Sequence, residues 1–586
     1  MKKWAGKKKN VLISGVLSFC IAGIYFMFIY MKIPFIYDIN DDVAMRNVAS
    51  GVITGVPDGH LLHIKYLLGF FISSLYQLIP GFDWYGLVLI GIILFSFSMI
   101  LYRGLVEKKG VIWKFCYIII SLLLFVCLGL QHITAFQWTV TAAIAGSAGI
   151  YLFYTSNSED GLQNIVEEGV SIFLLLLALL VRDDVFLMLC PIAVLCFWWK
   201  YGSLDRKRKW PFVLEHSWIL ITMGAGIFFI MIVEAFAYSS PEWREFRSYN
   251  TDREMIMDYY DLPNYETDPE YYDSLGFTPE EVENIQRYSL YLTENLYSEG
   301  MKELARYSKE VYLKQYSFQE RAALAVRKIY EHIGKETYNL TNLFALCMIM
   351  LVIGLSIGKN GYQLRLIIFI LSLWGAYWMY LGYRNRILER VGFALYLLIF
   401  MVMLAILYRS LFLGKQEQKK DQGAVAYRAF SVAGICIVLL LIGSMTFKNV
   451  KANNTWRRDY NLEFLDVNRY MAEHMENVYF MTTFSIETYT DNFTIKREFA
   501  FSNLLSVGGW HTFSPLENKK NEKLSITDPK RDIIQKNNVY LISLENVGIG
   551  YIDRYYTMLY GAEYQGRKLV DELIYGERIF EVYSFN

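Results

Sequence analysis

Val11-Leu12-Ile13-Ser14-Gly15-Val16-Leu17-Ser18-Phe19-Cys20-Ile21-Ala22-Gly23-Ile24-Tyr25-Phe26-Met27-Phe28-Ile29-Tyr30-Met31 is an unbroken apolar run preceded by Lys2, Lys3, Lys7, Lys8 and Lys9. A helix that crosses the hydrocarbon core of a bilayer needs about 20 mostly apolar residues, and this run supplies them. A secretory signal has a shorter apolar core and a small-residue cleavage site. Here the run continues through Phe26, Phe28 and Tyr30, so it reads as a retained span. Cytoplasmic loops are enriched in Lys and Arg, which puts the N-terminus inside.

Further runs of similar length lie at about 84–103, 111–131, 132–155, 168–182, 185–200, 214–238, 338–357, 363–383, 391–412 and 429–447, about eleven spans in all. Alternation places Arg103, Lys108 and Lys109 inside, then Arg206, Lys207, Arg208 and Lys209, then Lys359 and Arg365, then Lys415, Lys419 and Lys420. The inner loop near 156–167 is acidic and does not contribute. His60–Ile79 is apolar enough to span, but a span there would put Arg103–Lys109 outside. It carries His60, His63 and Lys65 at its start and reads as an amphipathic or re-entrant helix at the outer surface.

The fold class is therefore a multi-pass α-helical membrane protein with a small C-terminal extracytoplasmic α/β domain. The transmembrane domain covers 1–447, including an outer loop 32–83 and an outer helical loop 239–337, and the outer domain covers 448–586. Composition agrees: the chain is 54% hydrophobic and 19% charged, against about 25% charged in an average soluble domain. Lys+Arg and Asp+Glu both number 57, which excludes a nucleic-acid reader working through bulk positive charge. All seven cysteines (Cys20, Cys116, Cys127, Cys190, Cys196, Cys347, Cys436) fall in spans, so no disulfide staples the outer segments, as suits a bacterial cell-envelope enzyme. There is no zinc-type spacing, Walker loop, dinucleotide fingerprint or internal repeat.

In the middle segment Asp268–Asp273 and Pro279–Tyr291 read as short helices, the second opened by a Thr278/Glu281 capping box. Leu304–Ile333 reads as a helix leading into the next span. In the tail, Phe464–Met475 and Ile549–Tyr560 read as helices and Val478–Thr483 and Val539–Leu544 as buried strands. Lys568–Ile574 and Arg578–Phe585 read as a hairpin around Tyr575-Gly576-Glu577. Gly508-Gly509-Trp510-His511 reads as a turn whose histidine is structural.

Immediately after the first span stands Asp38-Ile39-Asn40-Asp41-Asp42, followed by Ser50-Gly51 and Gly55-Val56-Pro57. Adjacent carboxylates beside a bilayer repel one another and are costly to desolvate. The bland reading is a solvated acidic cap on a juxtamembrane helix. The order of features is more specific: span, acidic pair, a helix ending at Gly, a Pro turn, His60-Leu61-Leu62-His63-Ile64-Lys65, then Trp84 and a second span. This order resembles the first outer loop of the GT-C glycosyltransferases, which include the protein O-mannosyltransferases and the aminoarabinose transferase of lipid A. The family's Pro-Pro-Leu is absent here.

The resemblance implies a membrane glycosyltransferase. It would move a sugar, with inversion, from a polyprenyl-phosphate donor to a glycan, lipid or protein acceptor of the cell envelope on the outer face. It implies Asp41 as the base that accepts the acceptor's hydroxyl proton, Asp42 as its supporting acid and Asp38 as the fallback. Cations at the outer face should stabilise the leaving phosphate. The candidates are Arg384, Arg386 and Arg390 on the link between the ninth and tenth spans, Arg182, and more weakly Lys65 and His63. The Arg384 cluster reads equally as lipid headgroup anchoring or topology, and Arg182 reads first as a salt bridge to Asp183 or Asp184. Gln131-His132 and Gln137-Trp138 lie near an outer link where they could contact sugar. Some superfamily members use a divalent ion, and Asp41, Asp42, Asp183 and Asp184 are candidate ligands for magnesium or manganese. Competing readings are a flippase or transporter of lipid-linked saccharides, a polysaccharide polymerase, and a non-catalytic scaffold.

Overall fold

The computed structural model describes residues 2–107, 109–156, 161–202, 211–294, 296–357, 361–410, 422–487, 490–576 and 578–586. Of the basic residues that orient the spans, Lys108, Arg206, Lys207, Arg208, Lys209, Lys359, Lys415, Lys419 and Lys420 lie outside these, as does Glu577.

The chain opens with α1 (Lys2–Lys32), strand β1 (Ile36–Tyr37), α2 (Asn40–Ser50) and α3 (Tyr66–Leu78). Then come α4 (Trp84–Val106), α5 (Val111–Leu128), α6 (Leu130–Thr134), strand β2 (Ala135–Phe136) and α7 (Trp138–Thr155). Next are α8 (Gly161–Val181), α9 (Asp183–Gly202), α10 (Pro211–Glu215) and α11 (Ser217–Ala237). The middle segment contributes α12 (Pro241–Glu254), α13 (Pro269–Leu275), α14 (Pro279–Gln286), α15 (Met301–Gln315) and α16 (Phe318–Ile333). The long helices resume with α17 (Asn339–Ser356), α18 (Gly361–Tyr383), α19 (Glu389–Tyr408) and α20 (Gln422–Glu473).

Among the described residues ten helices are long and apolar enough to cross a membrane. On α1 the large apolar side chains divide: Phe26 and Ile29 pack inward, while Leu12, Phe19, Ile24 and Met27 are exposed. An apolar surface of that kind is stable only against lipid. The multi-pass architecture follows. Helix α7 is too rich in Gly, Ala, Ser and Thr to meet the same threshold, yet it is the centre of the bundle. Every residue of it except Ile144 is buried, and it packs against α4, α8, α9 and α19. Small residues let backbones approach closely; a Cβ on Gly146 would lie 2.1 Å from Leu189.

Several sequence expectations need correction. The run 132–155 is not one helix: Ala135–Phe136 leaves the helix to pair in parallel with Ile36–Tyr37, and α7 starts at Trp138. The last span does not stop at 447. Residues 448–473 contain no Gly or Pro to break a helix, so α20 runs on for 52 residues in total, and the boundary at 447/448 falls inside it. Leu304–Ile333 is two helices, because Ser317 caps α16 by accepting from Glu320 N at 3.3 Å. Helix α14 ends at Gln286, short of Tyr291, as Tyr288 takes a positive φ of 56°. Within His60–Ile79 only Tyr66–Leu78 is helical. Helix α3 has 13 residues, about 20 Å at 1.5 Å per residue, well short of the roughly 30 Å hydrocarbon core.

The tail forms strands β3 (Val478–Met481), β4 (Leu504–Ser506), β5 (Val539–Leu544), β6 (Lys568–Tyr575) and β7 (Arg578–Ser584) in the order β4-β3-β5-β7-β6. The first three are mutually parallel and the last two form the expected antiparallel hairpin. Helices α21 (Thr483–Glu487), α22 (Pro515–Lys523), α23 (Pro529–Gln535) and α24 (Gly550–Tyr560) complete a small α/β domain. It docks on the first loop through antiparallel bridges Ile36–Asn492 and Phe82–Lys496, and on the middle segment through Tyr291 N to Val507 O, 3.0 Å.

At the opposite ends of the bundle, Arg103 of α4 pairs with Glu167 of α8 at 3.1 Å and Lys200 of α9 with Glu168 at 2.8 Å. Two of the acids around the loop near 156–167 are thus paired internally; the loop carries no orienting charge because it holds no Lys or Arg.

Candidate active site

Helix α2 begins directly after the β1–β2 pairing and ends at Gly51, whose φ of 85° only glycine adopts without strain. A Cβ there would meet Val56 C at 2.8 Å and Pro57 N at 2.9 Å. Asn40, Asp41, Ala44 and Asn47 share one face of α2, and that face lines a cavity of about 1150 Å³. Asp41 stands at the edge of that face, and at about 100° per residue Asp42 falls outside it and points elsewhere. It is fully buried and accepts from Tyr85 Oη at 2.7 Å and Trp138 N at 3.2 Å. Asp38 also lies off the cavity, paired with Arg457 Nη1 at 2.8 Å and accepting from Gln137 Nε2 at 3.0 Å.

The cavity brings most of the other sequence candidates together: His63, Lys65, Arg182, Asp183, Asp184, Arg384, Arg386 and Arg390 line it with Asp41. Arg390 Nη2 stands 3.8 Å from Asp41 Oδ2. Arg182 lies over the Trp138 ring at 3.8 Å and pairs with Asp184 at 3.0 Å, so both expectations for it, cavity and salt bridge, describe its place. Lys65 pairs with Asp183 at 2.7 Å. Arg386 pairs with Asp258 at 3.2 Å, and Arg384 and Arg386 both lie on the Tyr259 ring, at 4.6 and 4.8 Å. Of the pairs near the outer link, Trp138 lines the cavity, Gln137 serves Asp38, and His132 packs on Phe393.

Burial pushes the Asp41 carboxyl above its ordinary range, opposed by Arg390 and Arg182. Burial, then Arg182 and Arg253, hold His63 well below 6.5, so its ring is neutral. His63 stacks on Trp138 at 5.1 Å and meets Trp510 at 4.8 Å.

The donor set proposed for a divalent ion does not converge. Asp42 faces Tyr85 and Trp138, Asp183 faces Lys65, and among the described residues no three Asp, Glu, His or Cys side chains are grouped to hold a metal.

Sequence reading missed Arg253, Glu254, Asp258, Trp510, Glu517 and Lys520, all of which line the cavity, and took His511, which also lines it, as structural. Arg253 had a signal: Trp243, Phe246, Tyr249 and Arg253 are buried along one face of α12, so an arginine continues an inward aromatic stripe. Glu517 and Lys520 had none, because charges at i and i+3 ordinarily mark a solvated face.

The turn carrying His511 is held by close backbone contact. A Cβ on Gly508 would fall 1.6 Å from Tyr288 O, and Gly509 has φ of 128°. Gly508→Ala is expected to destabilise the protein by about 1–3 kcal/mol, as overpacking does. A lowered unfolding midpoint in detergent checks it; an unchanged midpoint would contradict this packing.

No protein-family model matches the chain, and no curated protein matches it. Two solved structures do, both of ArnT from Cupriavidus metallidurans. The form bound to undecaprenyl phosphate is 10% identical, with 97% of each chain covered and a TM-score of 0.37. The apo form is 11% identical, with 97% of each chain covered and a TM-score of 0.39. At these values the likeness carries no weight for substrate or mechanism.

Proposed function

We propose that the chain is an integral membrane glycosyltransferase that moves a sugar from a polyprenyl-phosphate donor to an acceptor hydroxyl, with inversion. The supporting observation is one cavity in which Asp41 stands among Arg182, Arg384, Arg386 and Arg390, and whose wall continues over Leu187, Met188, Leu373, Tyr377 and Tyr380. Those apolar residues belong to α9 and α18, both long enough to span, and Leu187 and Tyr380 are exposed on them. A polar chamber continuous with a lipid-facing wall suits a substrate with an anionic head and a hydrocarbon tail. The domain-bearing side is then the outer face and the lysine-rich N-terminus is inside.

In this reaction the acceptor oxygen attacks the anomeric carbon from the face opposite the phosphate. The carbon–oxygen bond to phosphate breaks, the phosphate keeps the electron pair, and the hydroxyl proton passes to Asp41. Arginine suits the phosphate because its planar fork bonds two oxygens at once. Arg384, which has no carboxylate partner among the described residues, is the best placed to bind it. Arg384→Ala is expected to raise the donor KM about tenfold to a hundredfold, the worth of one or two charge-assisted hydrogen bonds.

The direct test is purified protein in nanodiscs given synthetic short-chain polyprenyl-phosphate sugars. Sugar transfer supports the reading. Movement of the intact lipid across the bilayer with no turnover would replace it with a flippase.

A further inference from the structure

The cavity has two unlike walls. One carries the arginines and Asp41. The other comes from the α/β domain and carries Trp510, His511, Glu517 and Lys520. A ladder of rings joins them: Arg182 lies on Trp138, Trp138 on His63, His63 against Trp510, and Trp510 on His511 at 3.5 Å. We propose that the wall of Trp510, His511 and Glu517 is the acceptor subsite, and that the acceptor it takes is an uncharged saccharide end presenting hydroxyl groups. This rests on the transferase reading above.

The chemistry of the wall carries the assignment. Both ring nitrogens of His511 and Oε2 of Glu517 are buried and lack a hydrogen-bond partner among the described residues; Glu517 is only 6% exposed. A buried polar group left unmatched costs about 1–3 kcal/mol, so such groups are normally matched by protein, water or ligand. Burial, with Lys520 and Arg253 adding to it, keeps the His511 ring neutral, its pKa lowered to about 3. A neutral imidazole offers one donor and one acceptor; burial pushes the Glu517 carboxyl up, so it accepts as the carboxylate and also donates as the acid. A sugar hydroxyl donates and accepts, and so answers both. A phosphate or carboxylate ligand only accepts, which leaves the imidazole's acceptor nitrogen unanswered. The neighbouring cation is already engaged: Lys520 donates to Leu504 O, and burial lowers its pKa against the opposing pull of Glu517.

The backbone is shaped for this presentation. Gly508 packs against Tyr288 O, and three residues lining or flanking the wall take positive φ: Leu62 at 63°, Tyr288 at 56° and Phe513 at 66°. Non-glycine residues held there persist only where surrounding structure over-determines them, and they cluster at functional sites.

The test is saturation-transfer NMR on the full chain in nanodiscs. The probes are methyl α-D-glucopyranoside, methyl α-D-mannopyranoside, methyl β-D-galactopyranoside and, as the anionic counterpart, methyl β-D-glucuronide. Farnesyl phosphate binding is measured in parallel. At least one neutral glycoside should receive saturation, the glucuronide should not, and Glu517→Gln and His511→Gln should each cut the signal at least fivefold. Both variants should bind farnesyl phosphate as the wild type does, which separates loss of the subsite from loss of the fold. The assignment is overturned if no neutral glycoside binds, if the glucuronide binds as well, or if neither variant weakens binding. Glycoside binding without any donor turnover would sink the transferase reading and leave the saccharide site standing; donor hydrolysis by water without glycoside binding would do the reverse.

Discussion

Asp41→Asn is expected to lower sugar transfer by about 10²–10⁴-fold, the usual contribution of a positioned general base, while the protein still inserts and folds. Asparagine keeps the shape of the side chain on the cavity face of α2 but cannot accept a proton. Asp41 is 3.8 Å from Arg390, which keeps the carboxylate form available despite its burial. Because burial raises its pKa against the opposing arginines, Asp41 loses its proton above the ordinary carboxylate range. The kcat/KM of the wild type should therefore rise with pH through a window above 3.8. Folding linkage has the opposite sign: a carboxyl with a raised folded pKa contributes less stability as pH rises through that window. The neighbouring acid supplies the contrast. Asp42 holds Tyr85 Oη and the first amide of α7, so Asp42→Ala should lower the unfolding temperature rather than act on chemistry alone. Full transfer by Asp41→Asn, or equal effects of the two changes on catalysis, would remove the base from this position.

How much of this was legible depended on the range of the signal. Spans are written in local apolar composition, and α1, α4, α11 and α19 stand where the sequence put them. Helix α7 was mislocated at its start because the event that ends α6, parallel pairing of Ala135–Phe136 with Ile36–Tyr37, joins segments about a hundred residues apart. The acidic loop was found as a cluster; its division into a cavity acid and a buried anchor follows from helix phase once Asn40 is known to start α2, whereas Asp38, before the helix, takes its partner Arg457 from a distant segment. The arginines of the 384–390 link were readable from their place between spans. The second wall was not, since Glu517 and Lys520 become buried only when the α/β domain folds back onto the chain before it, α22 meeting α12.

That folding back makes Arg46 the other residue with a large expected effect. It lies on the face of α2 turned away from the cavity, 3% exposed, with Asp491 Oδ2 at 2.8 Å and Asp83 Oδ2 at 3.8 Å. Arg497 closes the network on Asp491 at 2.7 Å, and Tyr37 and Tyr76 donate to Asp83. Two arginines and two aspartates thus join α2, the approach to α4 and the α/β domain with no net charge. Removing one partner of a buried pair strands the other, at about 3–5 kcal/mol. Arg46→Met should therefore lower the unfolding midpoint of the detergent-solubilised protein markedly. The loss should be insensitive to added salt, because buried pairs are screened little. Arg46→Met combined with Asp491→Asn should cost less than the sum of the two, as expected for contacting residues. The acid side gives a further check. Burial would raise the Asp491 carboxyl, but Arg46 and Arg497 outweigh it and hold it below 3.8. Its contribution is complete above the ordinary carboxylate pKa and is lost as pH falls through the lowered folded value. Arg46→Met should flatten that acid dependence. Since α2 carries Asp41 on its other face, the variant should also lose transfer activity in the fraction that stays folded. A midpoint unchanged by Arg46→Met, or additive losses in the double variant, would show that the α/β domain is held to α2 by other contacts.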